Sequence, residues 1–229
     1  MVRECRIKVS RSARYYTLGP DDGSVRELWF VLHGYGQLAA QFIRLFEPLD
    51  DGTRLIVAPE ALNRFYVAGV EEAPAAERAV GATWMTREDR DHEIEDYVAY
   101  LDGVAREAFG RLRARATVSR SVVFGFSQGT ATAGRWIAHG GIQPAQVILW
   151  GGFLPPDVDL TAPDQPLRRP SLHMLIGTRD RFVSADRVSA EETRLRDAGV
   201  VYRLTRYRGG HGIAKDALHE LSRALAAGA

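Results

Sequence analysis

The sequence predicts an α/β fold, in which a mainly parallel central sheet is flanked by helices on both faces. Short apolar runs that are typical of strands alternate with segments of helical periodicity along the whole chain. The 229 residues, 45% hydrophobic and 26% charged, suffice for one sizeable core and show no internal repeat. We therefore expect a single domain spanning residues 1–229.

Eight apolar runs, rich in Val, Ile, Leu and aromatic residues, are predicted to be strands. Turn-forming residues such as Gly and Pro separate several of them from their neighbours. They span residues 3–9, 14–18, 27–32, 54–58, 121–125, 146–150, 171–176 and 202–207.

The longest predicted helix covers residues 91–113, where apolar residues recur at the i, i+3, i+4, i+7 spacing of one helical face. Shorter helices are predicted at residues 39–49, 128–139, 185–197 and 214–227. Residues 60–90 have no clear period and are too long for a plain connector. We expect them to form a substrate-binding loop, the alternative being a mobile surface excursion.

Charge and cysteine content exclude several classes of protein. The formal net charge of +1 is too small for a protein that binds mainly nucleic acid or anionic membranes. The single cysteine, Cys5, can form neither an internal disulfide nor a cysteine-based zinc site. No window approaches the roughly 18 apolar residues of a membrane span. We expect a cytoplasmic protein without an integral membrane segment.

The strongest chemical motif is Gly125-Phe126-Ser127-Gln128-Gly129, with a predicted strand before it and a predicted helix after it. This context is typical of a nucleophile elbow, a tight turn that lifts a serine hydroxyl above the carboxyl edge of a sheet. Without that context, the motif would fit an ordinary glycine-rich turn equally well. Ser127 is therefore the predicted nucleophile.

A serine nucleophile needs a base, and in this architecture the histidine follows both the serine and the acid in the chain. His211 has that order and lies in a glycine-flanked loop after the last predicted strand, although a loop histidine without a catalytic role remains an alternative. The other histidines precede the serine or lie in predicted helices and a strand: His33, His92, His139, His173 and His219.

Asp180 is the predicted orienting acid, because it directly follows a predicted strand between Ser127 and His211. The rival acids lie in a Pro-rich segment or in the first turn of a predicted helix: Asp157, Asp159, Asp164 and Asp186.

The motif His33-Gly34-Tyr35-Gly36 follows another predicted strand. In such a loop a backbone N–H can point at a reacting carbonyl, so the Tyr35 and Gln128 N–H groups are predicted to form an oxyanion hole. A simple strand-to-helix turn is the alternative for this motif considered alone.

Together these motifs resemble the phospholipase/carboxylesterase family of α/β-hydrolases, which includes acyl-protein thioesterases and small bacterial carboxylesterases. The resemblance covers nearly the whole chain and implies an α/β-hydrolase fold with no metal and no cofactor. Trp84 resembles a tryptophan that family members carry before the long helix, with a packed core aromatic as the alternative. Gln37 and Thr130 depart from the family pattern, which leaves the acyl group unspecified.

We accordingly expect a serine hydrolase that cleaves carboxylic esters of small or medium acyl chains through an acyl-enzyme on Ser127. Its partner would be a small-molecule ester or thioester, not nucleic acid, and it would be a monomer or a homodimer. Trp84, Phe65 and Phe153 are the predicted substrate-binding residues. A thioesterase, a lysophospholipase, a peptidase with the same triad, and a non-hydrolytic ligand-binding protein on this fold remain alternatives.

Overall fold

The computed structural model describes residues 1–67 and 78–227 and contains a seven-stranded sheet. Its strands are β1 (Tyr15–Leu18), β2 (Glu27–Leu32), β3 (Arg54–Pro59), β6 (Arg120–Phe126), β7 (Gln146–Trp150), β8 (Ser171–Gly177) and β9 (Tyr202–Tyr207). Strands β4 (Asn63–Tyr66) and β5 (Val80–Thr83) form a separate antiparallel pair. The large sheet has the order β1-β3-β2-β6-β7-β8-β9, and only β1 runs antiparallel to its neighbour.

Helices cover both faces of this sheet, as the sequence predicts. The α-helices are α1 (Ala39–Phe42), α2 (Arg90–Leu112), α3 (Gln128–His139), α4 (Ala185–Asp197) and α5 (Lys215–Ala227). In the described part of the chain, 3₁₀ helices span Ile43–Leu49 and Pro166–Arg168. Helices α2 and α3 pack on one face, and α1 and α5 pack on the other.

The central strands are buried on both faces because each face packs against its own core. In β2, Leu28 and Phe30 contribute to the core beneath α2 and α3, whereas Trp29 and Val31 contribute to the core beneath α1 and α5. Successive side chains of a strand point to opposite faces, so a strand between two cores is a continuous apolar run. This explains why these strands could be recognised from sequence.

The predicted strand at residues 3–9 is absent. Residues 1–14 carry no strand, and Val2, Ile7 and Val9 are 99%, 86% and 76% exposed. Alternating apolar residues favour a strand only where a neighbouring strand accepts their hydrogen bonds and a core covers one face. This segment has neither in the part of the chain that the structure describes, so the prediction was wrong.

The predicted helix at residues 39–49 is divided. Only Ala39–Phe42 is α-helical, and Ile43–Leu49 continues as a 3₁₀ helix that contains Pro48. Proline has no N–H to donate, and its ring clashes with the preceding turn of an α-helix, which disfavours a regular helix here.

The predicted loop at 60–90 is more ordered than its sequence indicates. It contains β4 and β5, whose antiparallel pairing joins Phe65 to Gly81 and Asn63 to Thr83. Residues 68–77 of the loop lie outside the described residues. A lack of periodicity therefore did not mean a lack of strands, because each strand has four residues, too few to show a pattern.

The strand order places the two glycine-containing motifs side by side. After β2 the chain passes to β3 on one side, and after β6 it passes to β7 on the other side, while β2 and β6 are neighbours. Such a switch point leaves a crevice at the carboxyl ends of the two strands. The turns after β2 and β6 meet there.

Within residues 1–67 and 78–227, no helix has both the length and the apolar composition of a membrane span.

Candidate active site

Ser127 occupies a strained turn between β6 and α3. Its backbone has φ 52° and ψ −115°, a conformation that residues other than glycine rarely adopt. The Ser127 N–H donates to the Trp150 carbonyl oxygen over 2.9 Å, and the Thr130 hydroxyl donates to the Ser127 carbonyl oxygen over 2.7 Å. These contacts hold the turn from both sides and lift the Ser127 hydroxyl out of the helix.

The turn can pass so close to β2 only because residue 129 is glycine. A Cβ built on Gly129 would lie 2.2 Å from the Leu32 carbonyl oxygen, far inside the normal contact distance. Any larger residue would push α3 away from the end of β2. The glycine of the motif therefore allows two backbones to approach each other closely.

His211 lies in the loop between β9 and α5, and its Nε2 is 2.9 Å from Ser127 Oγ. The ring is flanked by Phe126 and Phe182, with centroid distances of 5.2 Å and 4.7 Å. Its side chain is 17% exposed. The histidine is thus held between two aromatic rings while one edge reaches the serine.

Asp180 follows β8 and lies on the other side of the imidazole. Its side chain is fully buried, and Oδ2 is 2.8 Å from His211 Nδ1. The second carboxylate oxygen, Oδ1, accepts the Phe182 N–H over 2.9 Å. A carboxylate only accepts hydrogen bonds, so the proton of a neutral His211 lies on Nδ1 and Nε2 is free to accept the Ser127 hydroxyl proton.

The rival acids of the sequence analysis lie elsewhere. Asp157 forms a bidentate ion pair with Arg135, with distances of 2.9 Å and 2.7 Å, and this hydrogen bonding lowers the pKa of Asp157. Asp159 accepts the Thr161 hydroxyl and N–H in a local turn. Asp164 lies near that turn in the same loop, and Asp186 is an exposed residue in the first turn of α4. The structure brings Asp180 to His211.

His33, the histidine that precedes the serine in the chain, lies in separate surroundings. His33 is fully buried, and its Nε2 accepts the Ala61 N–H over 3.1 Å while Nδ1 lies 2.8 Å from the Gly34 carbonyl oxygen. The Ala61 contact places the proton on Nδ1, and burial lowers the pKa of His33. This histidine is neutral and fixes the strand end that leads into the Tyr35 turn.

The turn that carries Tyr35 lies directly against the serine. A Cβ built on Gly34 would be 3.2 Å from Ser127 Cβ, and the Gly34 N–H donates to Gln37 Oε1 over 2.8 Å. Within residues 1–67 and 78–227, the backbone N–H groups of Tyr35 and Gln128 have no acceptor. Gln128 is the first residue of α3, where a helix leaves its N–H unpaired and carries a partial positive charge.

The side chain of Gln128 joins the serine turn to β5. Its Nε2 donates to the Thr83 hydroxyl over 2.8 Å and to the Met85 carbonyl oxygen over 3.0 Å, and its Oε1 accepts the Trp84 N–H over 3.2 Å. Glutamine at this position therefore fixes the segment after β5 against the start of α3.

Trp84 lies beneath the site rather than in it. It is 1% exposed, and its indole Nε1 donates to the His33 carbonyl oxygen over 2.8 Å. Trp84 was predicted to bind substrate, with a packed core aromatic as the alternative, and the buried ring matches that alternative. Its burial against His33 and Tyr97 leaves no face for a substrate.

A cleft of about 450 Å³ opens beside Ser127 and His211. Phe153, one of the predicted substrate-binding residues, lines it together with Tyr35. Phe65, the other predicted aromatic, packs on the Tyr35 ring with 5.1 Å between the ring centroids. Phe65 is therefore not a lining residue of the cleft and contacts Tyr35, which is one.

The lining residues that were not predicted from the sequence include Thr130, Phe182 and Arg187. Thr130 follows Ser127 by three positions, and Phe182 and Arg187 follow Asp180 by two and seven. This proximity in the chain was the signal that could have pointed to them. Among the described residues, no group of three His, Cys, Asp or Glu side chains is placed to hold a metal ion.

The fold is similar to that of solved esterases and thioesterases. Acyl-protein thioesterase 2 from Zea mays is 19% identical over 94% of this chain and 99% of that chain, with a TM-score of 0.69. A carboxylesterase from Mesorhizobium loti is 21% identical over 93% and 94% of the two chains, with a TM-score of 0.67. A phospholipase/carboxylesterase from Dyadobacter fermentans is 18% identical over 94% and 97%, with a TM-score of 0.64.

These neighbours are of the kinds that the family resemblance named, and they confirm the predicted α/β-hydrolase fold. No protein-family model matches the chain, and no curated protein matches it.

Proposed function

We propose that this protein is a serine hydrolase of the phospholipase/carboxylesterase family that cleaves carboxylic esters through an acyl-enzyme on Ser127. The observation that carries the proposal is the chain of contacts from Asp180 through His211 to Ser127, with distances of 2.8 Å and 2.9 Å, at the side of an open cleft. The fold neighbours with esterase and thioesterase activity in their names support it.

In the proposed first step, Ser127 Oγ attacks the ester carbonyl carbon while its proton passes to His211 Nε2. The imidazolium that forms is stabilised by the buried carboxylate of Asp180. The carbonyl oxygen becomes an oxyanion, and the Tyr35 and Gln128 N–H groups are the donors we assign to it. Preorganised donors of this kind each contribute about 10²-fold to 10³-fold to the rate.

The tetrahedral intermediate then collapses. The bond from the carbonyl carbon to the alcohol oxygen breaks, His211 Nε2 returns its proton to the leaving alkoxide, and the acyl group remains on Ser127 Oγ. A water molecule next gives a proton to His211 and attacks the acyl carbon, after which Ser127 regains its proton as the acid product leaves. No metal or cofactor enters these steps.

The strained backbone of Ser127 also favours this role. A φ of 52° at a non-glycine residue costs stability, and such strain persists in folded proteins mainly where a site needs it. Here the conformation is what points the hydroxyl at His211 and away from α3.

The proposal is tested by the hydrolysis of p-nitrophenyl esters from acetate to decanoate, with Ser127→Ala beside the wild type. We expect wild-type turnover that falls at least about 10³-fold in Ser127→Ala, and a preferred chain length set by the cleft. A fluorophosphonate should label the wild type at Ser127 and leave the variant unlabelled.

Equal turnover in Ser127→Ala and the wild type would overturn the proposal. An absence of both turnover and labelling, combined with tight binding of a small ligand, would favour the non-hydrolytic alternative. Thioester substrates in the same series would separate a thioesterase from an oxygen-esterase.

A further inference from the structure

The cleft beside Ser127 contains one formally charged side chain in the part of the chain that the structure describes, and it is the cation Arg187. Apart from His211, the other lining side chains are aromatic, aliphatic, small or hydroxyl-bearing. No carboxylate lines the cleft within residues 1–67 and 78–227. The cleft next to the proposed nucleophile is therefore lined mainly by apolar groups and carries one formal positive charge.

Arg187 is held against the cleft wall by contacts on two sides. Its Nη1 donates to the Phe182 carbonyl oxygen over 3.1 Å, and its Cζ lies 5.3 Å from the centre of the Phe153 ring. Phe153 and Phe182 both line the cleft. A guanidinium carries five N–H donors, so most of them remain available after these contacts. The head group is thus positioned before any ligand arrives.

Arg187 forms no ion pair with a described residue, although the charge of Glu191 on the same helix interacts with it at longer range. Among the described residues, no carboxylate oxygen lies within 4.0 Å of its guanidinium. Glu191, one turn further along α4, pairs with Arg194 at 3.1 Å, and Asp157 pairs with Arg135 at 2.7 Å. The nearest hydrogen-bonded partner of Glu191 is thus Arg194, and the guanidinium of Arg187 keeps donors for a ligand in the cleft.

We infer that Arg187 binds a carboxylate of the substrate, so that the preferred substrates are short esters carrying a free carboxylate. This inference rests on the proposed ester hydrolysis. A planar guanidinium matches a carboxylate with two parallel hydrogen bonds. A purely aliphatic chain in the same cleft would instead strip water from Arg187 without replacing its hydrogen bonds, which is unfavourable.

The carboxylate can belong to the acyl part or to the alcohol part of the ester, and two sets of substrates distinguish them. The acyl set consists of monoethyl succinate and monoethyl glutarate, each beside its neutral monoamide of the same shape. The alcohol set consists of 3-(butyryloxy)propanoate beside its amide. The reactions are run at low ionic strength, and product formation is measured by chromatography.

The wild type should prefer the acid over the matched amide by about tenfold in kcat/KM in one of the two sets. Arg187→Gln should abolish this preference for the acid over the amide, and Arg187→Lys should retain part of it. The matched control is Arg223→Gln, which removes one exposed positive charge from α5 outside the cleft. Added salt should reduce the wild-type preference.

The inference is overturned if the wild type shows no preference for the acid in either set, or if Arg187→Gln keeps the preference. It is also overturned if Arg223→Gln loses the preference to the same extent. Turnover of neutral esters that depends on Ser127, without any preference for acids, would leave the proposed function standing. Failure of every ester, or turnover that survives Ser127→Ala, would remove the proposed function and this inference together.

Discussion

The indole N–H of Trp150 donates to the Tyr207 hydroxyl over 2.8 Å, and that hydroxyl donates to the Gly212 carbonyl oxygen over 2.7 Å. Trp150 ends β7 and Tyr207 ends β9, and their rings pack with 5.0 Å between centroids. Gly212 directly follows His211. The contact therefore ties the histidine loop to two strand ends of the sheet, which limits the positions that the imidazole can take.

Tyr207→Phe should lower kcat about tenfold with little change in KM, because the histidine loop loses a hydrogen bond that positions it rather than one that binds substrate. Burial raises the pKa of the Tyr207 phenol, which therefore stays protonated and able to donate. Steady-state kinetics on a p-nitrophenyl ester measure both constants.

Tyr202→Phe is the matched control for this change. Tyr202 lies on the same strand, and its hydroxyl donates to Glu192 over 3.0 Å, away from the histidine loop. Unchanged kcat in Tyr207→Phe, or an equal loss in Tyr202→Phe, would contradict the positioning role of Tyr207.

Asp180→Asn should keep the fold and lower kcat by roughly 10⁴-fold, since an amide facing His211 Nδ1 no longer selects the tautomer that accepts the serine proton. Asp159→Asn, at an exposed turn outside the His211 contacts, should keep wild-type activity. Ester hydrolysis and circular dichroism on both variants check this. Near-normal activity in Asp180→Asn would remove that residue from the mechanism.

Ser127→Gly should raise the free energy of unfolding by about 1 kcal/mol relative to Ser127→Ala, because glycine tolerates a positive φ that costs any residue with a Cβ. Both variants lack the hydroxyl, so the comparison separates backbone strain from the lost contact with His211. Urea unfolding measures the difference. A glycine variant that is less stable than the alanine variant would show that the φ of 52° does not strain the turn.

Asp157→Asn should destabilise the protein at pH 7 by about 1 to 3 kcal/mol, because it leaves the buried guanidinium of Arg135 without its partner. Hydrogen bonding to Arg135 lowers the pKa of Asp157 in the folded state. In acid, the unfolded chain therefore binds more protons than the folded protein. The stability that the ion pair contributes is complete above the ordinary aspartate pKa, and it is lost as the pH falls toward and through the lowered pKa of the folded state.

The measurement is urea unfolding at pH 7 and at pH 3. Stability should fall less between these values in Asp157→Asn than in the wild type. The double variant Asp157→Asn with Arg135→Gln should recover part of the stability at pH 7. An unchanged acid dependence in Asp157→Asn would show that the pair does not couple protonation to folding.

Local sequence patterns were sufficient for most of the framework. The helices Gln128–His139 and Ala185–Asp197 have the predicted bounds. Gly140 follows the first helix, and Ser184 and Gly199 flank the second, which are residues that favour helix ends. The buried strands of the sheet were also recognisable, because a strand between two cores is apolar throughout. Strands whose stability depends on pairing with a neighbouring strand were predicted wrongly. A strand was expected at residues 3–9, where none forms, and β4 and β5 were not expected.

The sequence by itself determined the order of Ser127, Asp180 and His211 and placed each after a strand, because parallel strands deliver their carboxyl ends to one edge of a sheet. Only the tertiary structure showed that Asp180 and not one of its rivals contacts His211, that Trp84 is buried beneath the site, and that Arg187 lines the cleft without an ion pair to any described residue. These outcomes depend on contacts between residues far apart in the chain. Such contacts follow from how the helices and loops pack on the sheet, and local periodicity carries no information about them.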